Sequence, residues 1–394
     1  MKRKLKKERR ITMIYLDNSA TTKPLPDVMK TFVQVSEQYY ANPASIHEAG
    51  NVTNQLLTKA REQLANILNT EAKEVIFTAG GTESNNFAAY SVAKTQAHIG
   101  QHILTSVIEH PSVLQSVKRL AEEGFEVEYV GIDSNGVILM EDLKKKLRKD
   151  TIFVSIMHVN NEMGAIQPIK EIAEYVHANS RAIFHVDAVQ SFGKLPIRFN
   201  GEAGPDMISA SGHKIHSVKG SGFLALRKNY TMAPFIVGGG QEFGLRSGTA
   251  AVPQAVSLAK AARLAVENMD EQLQKYRKWN ADLHAFFAQF GENVYMLSNH
   301  FCAPYILSFS VRDLRGEILI NALQKEGIYV STSSACSSKM KKTSHVVTAL
   351  NIDAPYKDGV LRMSFGSFTT EEEISAFKRV FSNVMNQLKG EVKQ

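Results

Sequence analysis

EVIFT (74–78), HILTSVI (102–108), EVEYV (126–130), TIFVSIM (151–157), AIFHVDA (182–188), MISAS (207–211) and GFLAL (222–226) recur through residues 74–237 as short apolar runs between longer amphipathic stretches. Near-continuous apolar runs of this length suit strands buried on both faces, as in a mostly parallel sheet covered by helices. The spacers read as those helices. PSVLQSVKRLAEEG (111–124) and PIKEIAEYVHA (168–178) each open on a proline suited to a first helical turn, and the first closes on a glycine that can stop it. Strands alternating with helices give an α/β class. Beyond Pro253 the texture changes. A helical stretch runs to about Phe290, followed by ILSFS (306–310), RGEILINALQKEG (315–327), VLRMSFG (360–366) and a last helix from Thr370, which together read as a smaller α+β domain. No fixed-period repeat or low-complexity linker intervenes, so the two parts are expected to pack closely.

Size and charge narrow the function. With 394 residues and 44% hydrophobic content, the chain is expected to form one large and one smaller domain. It has no run of eighteen or more apolar residues, and its start, MKRKLKKERR, lacks the apolar stretch of a secretory signal; a cytoplasmic location and no membrane association are expected. Residues 1–10 carry seven Lys or Arg against the single acid Glu8, and so hold most of the formal net charge of +7. A nearly neutral body argues against a whole-surface nucleic-acid binder. Residues 1–12 read as a basic disordered tail, explained most simply by translation from a start upstream of Met13. Cys302 and Cys336 read as free thiols in a chain with little need of a staple, and the twelve histidines are scattered without zinc-ligand spacing, so no metal site is expected.

Four segments carry candidate chemistry. VIFTAGGTESNN (75–86) passes from a strand through Gly80 and Gly81 into Thr82 and a helix, where backbone N–H groups could cradle a phosphate; alone, such a segment is more often just a strand-to-helix joint. SASGHKIH (209–216) sets Lys214 at a strand end, where partial desolvation would lower its pKa and free the amine to attack a carbonyl; the alternative is a solvated loop lysine. FHVDAVQS (184–191) ends a strand on Asp187, the place where open α/β sheets bind ligands. A carboxylate there needs a cationic partner, and the protonated pyridine nitrogen of pyridoxal phosphate (PLP) would serve, unless Asp187 simply caps a helix. SSACSS (333–338), followed by KMKK, surrounds Cys336 with small hydroxylated residues and cations that favour the nucleophilic thiolate.

Taken together with YLDNSATT (15–22), NPASIH (42–47), EHPSVL (109–114), HVNNEMGAIQPI (158–169), GGGQEFGLRSGT (238–249) and VLRMSFG, these segments resemble the cysteine desulfurases of the NifS and IscS type, within the class V aminotransferase group of fold-type I PLP enzymes. The likeness extends from about Tyr15 to Phe381. It implies a large PLP-binding domain over residues 29–255 with a mostly parallel seven-stranded sheet. It also implies an N-terminal segment (13–28) packing with a small C-terminal domain (256–394), which carries a mobile cysteine loop at about 331–342.

The resemblance also assigns roles. Lys214 would hold the cofactor and shuttle a proton at the substrate's Cα; Asp187 would pair with the pyridine N–H, Gln190 would bond the phenolic oxygen, and His110 would stack on the ring. Gly81, Thr82, Ser211 and His213 would hold the phosphate, with Thr249 reaching in from the partner of an obligate homodimer. Arg362 would bind the substrate carboxylate through its planar fork, with Asn161 as a helper; a structural arginine pairing with an acid is the alternative. The implied reaction takes sulfur from L-cysteine, leaving L-alanine and a persulfide on Cys336 for an acceptor protein, either an iron-sulfur scaffold or a tRNA-thiolating enzyme. Rival readings are a selenocysteine lyase, a β-lyase without a persulfide, and a non-catalytic PLP-fold scaffold. Ser217 and Val218 stand where the family commonly has Gly-Pro, and Phe243 where it commonly has arginine.

Overall fold

The computed structural model describes residues 13–197, 199, 201, 203–227, 230–332 and 344–391. Cys336, with the rest of the cysteine segment from 333 to 343, lies outside them, as do residues 1–12. The elements in chain order are β1 (Ile14–Tyr15), α1 (Pro26–Gln38), α2 (Glu48–Leu68), β2 (Val75–Thr78), α3 (Gly81–Gln96), β3 (His102–Ser106), α4 (Pro111–Glu122), β4 (Glu126–Val130), α5 (Met140–Lys146), β5 (Thr151–Met157), α6 (Ile169–Asn179), β6 (Ile183–Asp187), β7 (Met207–Ser211) and β8 (Gly222–Leu226). After them come α7 (Val252–Glu267), α8 (Met269–Ala288), β9 (Val294–Met296), β10 (Ile306–Val311), α9 (Gly316–Lys325), β11 (Ile328–Tyr329), β12 (Ser331–Thr332), α10 (His345–Ala349), α11 (Ala354–Lys357), β13 (Val360–Ser364) and α12 (Glu371–Glu391).

Seven strands form the large sheet, in the order β2-β8-β7-β6-β5-β3-β4. Only β8 runs against its neighbours, so the carboxyl ends of the other six open on one edge. Period-2 alternation sends successive residues to opposite faces: Val154, Ile156, Phe184 and Val186 join the core under α2, α6 and α7, whereas Phe153 and Ile183 join the core under α3 and α4. A polar ladder runs within the sheet, with the His185 ring bridging Ser155 Oγ (2.9 Å) and Ser209 Oγ (2.8 Å). Both ring nitrogens are thus satisfied, which offsets the cost of burying them.

The smaller sheet has the order β12-β13-β10-β9, and β1 pairs in parallel with β11, so the N-terminal segment is sewn to the C-terminal part of the chain. Phe287, Phe309, Phe377 and Phe381 pack there, Phe287 and Phe309 with ring centroids 4.4 Å apart. Edge-to-face partners such as Phe287 and Phe381 (5.2 Å) add about 0.5–1.5 kcal/mol each beyond area burial. The single helical stretch expected up to Phe290 is broken at Asn268, whose backbone (φ −101°, ψ 5°) leaves the helical range while its side chain and its N–H both donate to the Leu264 carbonyl. Leu258, Ala261 and Ala262 of α7 lie in the large core, and Leu273, Trp279 and Leu283 of α8 in the small one.

Candidate active site

The loops at the carboxyl ends of β2, β3, β5, β6 and β7 bring together residues widely spaced in the chain. After β2 the backbone turns through Gly80 at φ +153°, a conformation that L side chains rarely adopt, and enters α3 at Gly81. A Cβ on Gly81 would lie 2.5 Å from Val189 Cγ2, so the turn closes onto the segment after β6 only because both residues are glycines. The result is a helix N-terminus with unsatisfied N–H groups aimed at the sheet edge, where Ser211 ends β7.

Asp187 is the last residue of β6 and is buried. Its Oδ1 accepts the Val189 N–H (2.9 Å) and its Oδ2 accepts from Asn85 Nδ2 (2.7 Å), which fixes the carboxylate plane. The same Asn85 amide donates to Ser112 Oγ (2.9 Å), which lies 2.8 Å from His110 Nδ1. His110 also caps α4: its Nδ1 accepts the Ser112 N–H at 3.1 Å, so the ring's proton sits on Nε2. Burial lowers the His110 pKa, with Lys214 and His345 pushing the same way against Asp187, so the ring is neutral at physiological pH.

Lys214 follows β7 in a short 3-10 turn. Its ammonium donates to the carbonyls of Ser19 and Ala20 (the latter at 2.8 Å), and Gln190 Nε2 donates to the same Ser19 carbonyl (3.0 Å). His213 Nδ1 lies 3.1 Å from Thr21 Oγ1. Burial, reinforced by Lys214 and Lys194, pulls the His213 pKa down to about 3 and keeps that ring neutral. Arg362 projects from β13 on the face opposite Leu361 and Met363, which sit in the small core. It donates to the Asn161 carbonyl (2.7 Å) and to Asp17 Oδ1 (2.8 Å), while its buried Nε–H has no partner.

Lys214, Asp187, His110, Gln190, Gly81, Ser211, His213, Asn161 and Arg362 therefore meet at this edge. Thr82 sits exposed in the first turn of α3, and Thr249 lies exposed beyond the loop that Arg246 anchors to Glu83 (2.8 Å). Sequence reasoning passed over Asn85, Ser19, Asp17 and Glu109. All four fall inside the motifs quoted above, but their roles depend on partners elsewhere in the chain.

The aminotransferase class-V family matches residues 14–377. A cysteine desulfurase IscS from Dictyoglomus turgidum is 37% identical over 383 residues, covering 95% of each chain. The chain belongs to the class-V aminotransferases, among the NifS/IscS cysteine desulfurases. A solved NifS-like protein superposes with a TM-score of 0.90 at 36% identity, covering 95% of this chain and all of that one. A structure described as SspA in complex with cysteine does so with a TM-score of 0.76 at 29% identity, covering 91% of this chain and all of that one.

Class-V aminotransferases of this kind depend on PLP. The site fits that group on its own chemistry. The buried Ser19 Oγ, Asn85 Oδ1 and Gln190 Oε1 have no hydrogen-bond partner, the Gly80–Gly81 turn brings the α3 N-terminus so close to Val189 and Ser211 that a Cβ on Gly81 would not fit, and the donor set supplies an amine, a carboxylate and a helix N-terminus. Among the described residues no helix is long and apolar enough to cross a membrane.

Proposed function

We propose that this cysteine desulfurase removes sulfur from L-cysteine with PLP held by Lys214, leaving L-alanine and a persulfide on Cys336. The observation that supports this reading best is the meeting of one amine (Lys214), one hydrogen-bonded carboxylate (Asp187) and one guanidinium with an unpaired N–H (Arg362) at the same sheet edge. PLP, when bound, supplies an electron sink that weakens the bonds at the substrate's Cα.

The chain's own residues do the rest. Asp187, oriented by Asn85 and the Val189 N–H, would hold the pyridine N–H; neutral His110 would stack on the ring, and Gln190 would bond the phenolic oxygen. The α3 N-terminus at Gly81 and Thr82, with Ser211 and His213, would hold the phosphate, and Thr249 would reach the phosphate of the second copy in a homodimer. Arg362, steadied by the Asn161 carbonyl, offers its remaining donors to the substrate carboxylate. Lys214 moves the proton at Cα. Cys336 thiolate would then attack the substrate sulfur: an S–S bond forms, the C–S bond breaks with its electron pair left on Cβ, and protonation at Cβ, with Lys214 returning the Cα proton, completes alanine. The persulfide passes to an iron-sulfur scaffold or a tRNA-thiolating enzyme in the cytoplasm.

The test is anaerobic incubation of PLP-loaded protein with L-cysteine, following alanine and protein-bound sulfane sulfur. Equal yields from the native chain, with both lost in Cys336→Ala, are expected. Undiminished alanine from the variant would remove Cys336 from the mechanism, and no alanine from either protein would remove the reaction.

A further inference from the structure

A cavity of about 270 Å³ lies where the two cores meet, behind the Lys214 turn, walled by α7 and α8, the Gly193–Lys194 turn, His216 and the segment after β13. It could hold roughly nine waters at about 30 Å³ each, enough for a small organic ligand. Among the described residues of its wall, Lys194 alone carries a formal charge. His216 is already committed: its Nδ1–H donates to the Lys23 carbonyl (2.8 Å) and its Nε2 accepts the Ser367 N–H (3.1 Å), which fixes a neutral ring.

Lys194 has no carboxylate partner among the described residues; its one specific contact is the Tyr305 ring, 5.1 Å from Nζ. Burial, with Lys214 and Arg362 adding to it, pulls its pKa down to about 7, and an anion placed beside it would draw the amine back to its charged form. A second polar group in the same wall is equally unanswered: Gln272 Oε1 is buried without a hydrogen-bond donor. The same wall also includes Leu264, Ala265, Met269 and Leu273. An amine with no carboxylate partner, an acceptor with no donor and an apolar wall together suit a zwitterion with a short side chain.

We propose that this cavity is a second, non-catalytic site for a small α-amino acid, its carboxylate on Lys194 and its ammonium on Gln272 Oε1. The proposal is independent of the reaction assigned above. N,N-dimethylglycine is the probe, because its tertiary ammonium keeps one N–H donor yet cannot condense with an aldehyde, and propionate is its counterpart without the ammonium.

Calorimetric titration of the PLP-loaded protein should give one saturable dimethylglycine site per protomer. Lys194→Met should weaken it tenfold or more. Gln272→Leu should weaken dimethylglycine by a similar factor but leave propionate unchanged, and Arg362→Ala should leave both intact. Absence of saturable binding at millimolar probe, or binding lost in Arg362→Ala and kept in Lys194→Met, overturns the proposal. Should Lys194→Met fail to fold or to load the cofactor, the two probes on Gln272→Leu decide alone: equal affinity of that variant and the native chain for dimethylglycine overturns it.

Discussion

The Arg362 guanidinium is paired with the Asp17 carboxylate at 2.8 Å, side chains 3% and 16% exposed, across almost the whole length of the chain. Asp17 Oδ2 also accepts from Ser331 Oγ (2.6 Å), and Ser331 stands opposite Arg362 in the β12–β13 register, so one carboxylate ties the N-terminal segment to two neighbouring strands. The arginine that would take the substrate carboxylate is thus held in plane before substrate arrives.

A lysine at 362 would keep the charge and lose the fork. Arg362→Lys is expected to raise KM for L-cysteine about 10- to 100-fold, from the loss of a charged hydrogen bond of about 1.5–3 kcal/mol, with a smaller change in kcat. Steady-state kinetics decide it; an unchanged KM would leave Arg362 a structural residue. Asp17→Asn is expected to lower stability by about 3 kcal/mol in denaturant titrations, since it leaves a buried cation unpaired.

Asn85 bonds both Asp187 and Ser112, linking the carboxylate at the end of β6 to the histidine that caps α4. Asn85→Leu is expected to weaken cofactor binding about tenfold, the equivalent of one hydrogen bond of about 1.4 kcal/mol, read from absorbance during PLP titration of the apo form. Affinity equal to that of the native chain would show that Val189 alone orients Asp187.

Glu109 is fully buried; Oε1 accepts from Ser106 Oγ (2.6 Å) and the Met157 N–H (2.9 Å), and Oε2 has no partner. Burial, aided by nearby Asp187, raises its pKa from 4.5 to about 8. The native state therefore binds more protons than the unfolded one between these values, and stability falls as pH rises through that window. E109Q should match the native chain near pH 5 and exceed it near pH 9 by an amount of the order of 3–4 kcal/mol. Parallel stability curves for the two proteins would mean that Glu109 stays ionised in the fold.

Arg61 and Glu242 form a two-pronged pair (2.6 and 2.7 Å), and the guanidinium lies 4.7 Å from the Phe77 ring and 4.9 Å from that of Phe243. Phe243, which stands where the family commonly has arginine, thus covers a buried cation rather than adding a second one. Phe243→Arg should cost about 1 kcal/mol of stability by replacing a cation–π contact with like-charge repulsion, and Glu242→Gln about 3 kcal/mol. Thermal unfolding would show both; a rise in Tm for Phe243→Arg would contradict the first.

Much of this was legible in the chain. Runs such as TIFVSIM and AIFHVDA give their strands away because a both-faces-buried strand needs no polar alternation, and the Gly80–Gly81 pair marks a turn that no side chain can occupy. Lys214 and Asp187 stand out because charged residues at the ends of apolar strands demand an explanation. The division of the long C-terminal helical stretch at Asn268 was not legible, since a change of backbone angles at one residue leaves no mark on the hydrophobic period.

What the sequence determined by itself was everything with a local period: the strands, the helices between them, the glycine turn and the candidate reactive residues. Tertiary structure decided the partners. Asn85 meets Asp187 across 102 positions, Lys214 meets Ser19 across 195, and Arg362 meets Asp17 across 345. Such pairs are set by how the sheets pack rather than by any repeat along the chain, because a side chain's hydrogen-bond partner is fixed by proximity in space and periodicity reports only which face a residue occupies.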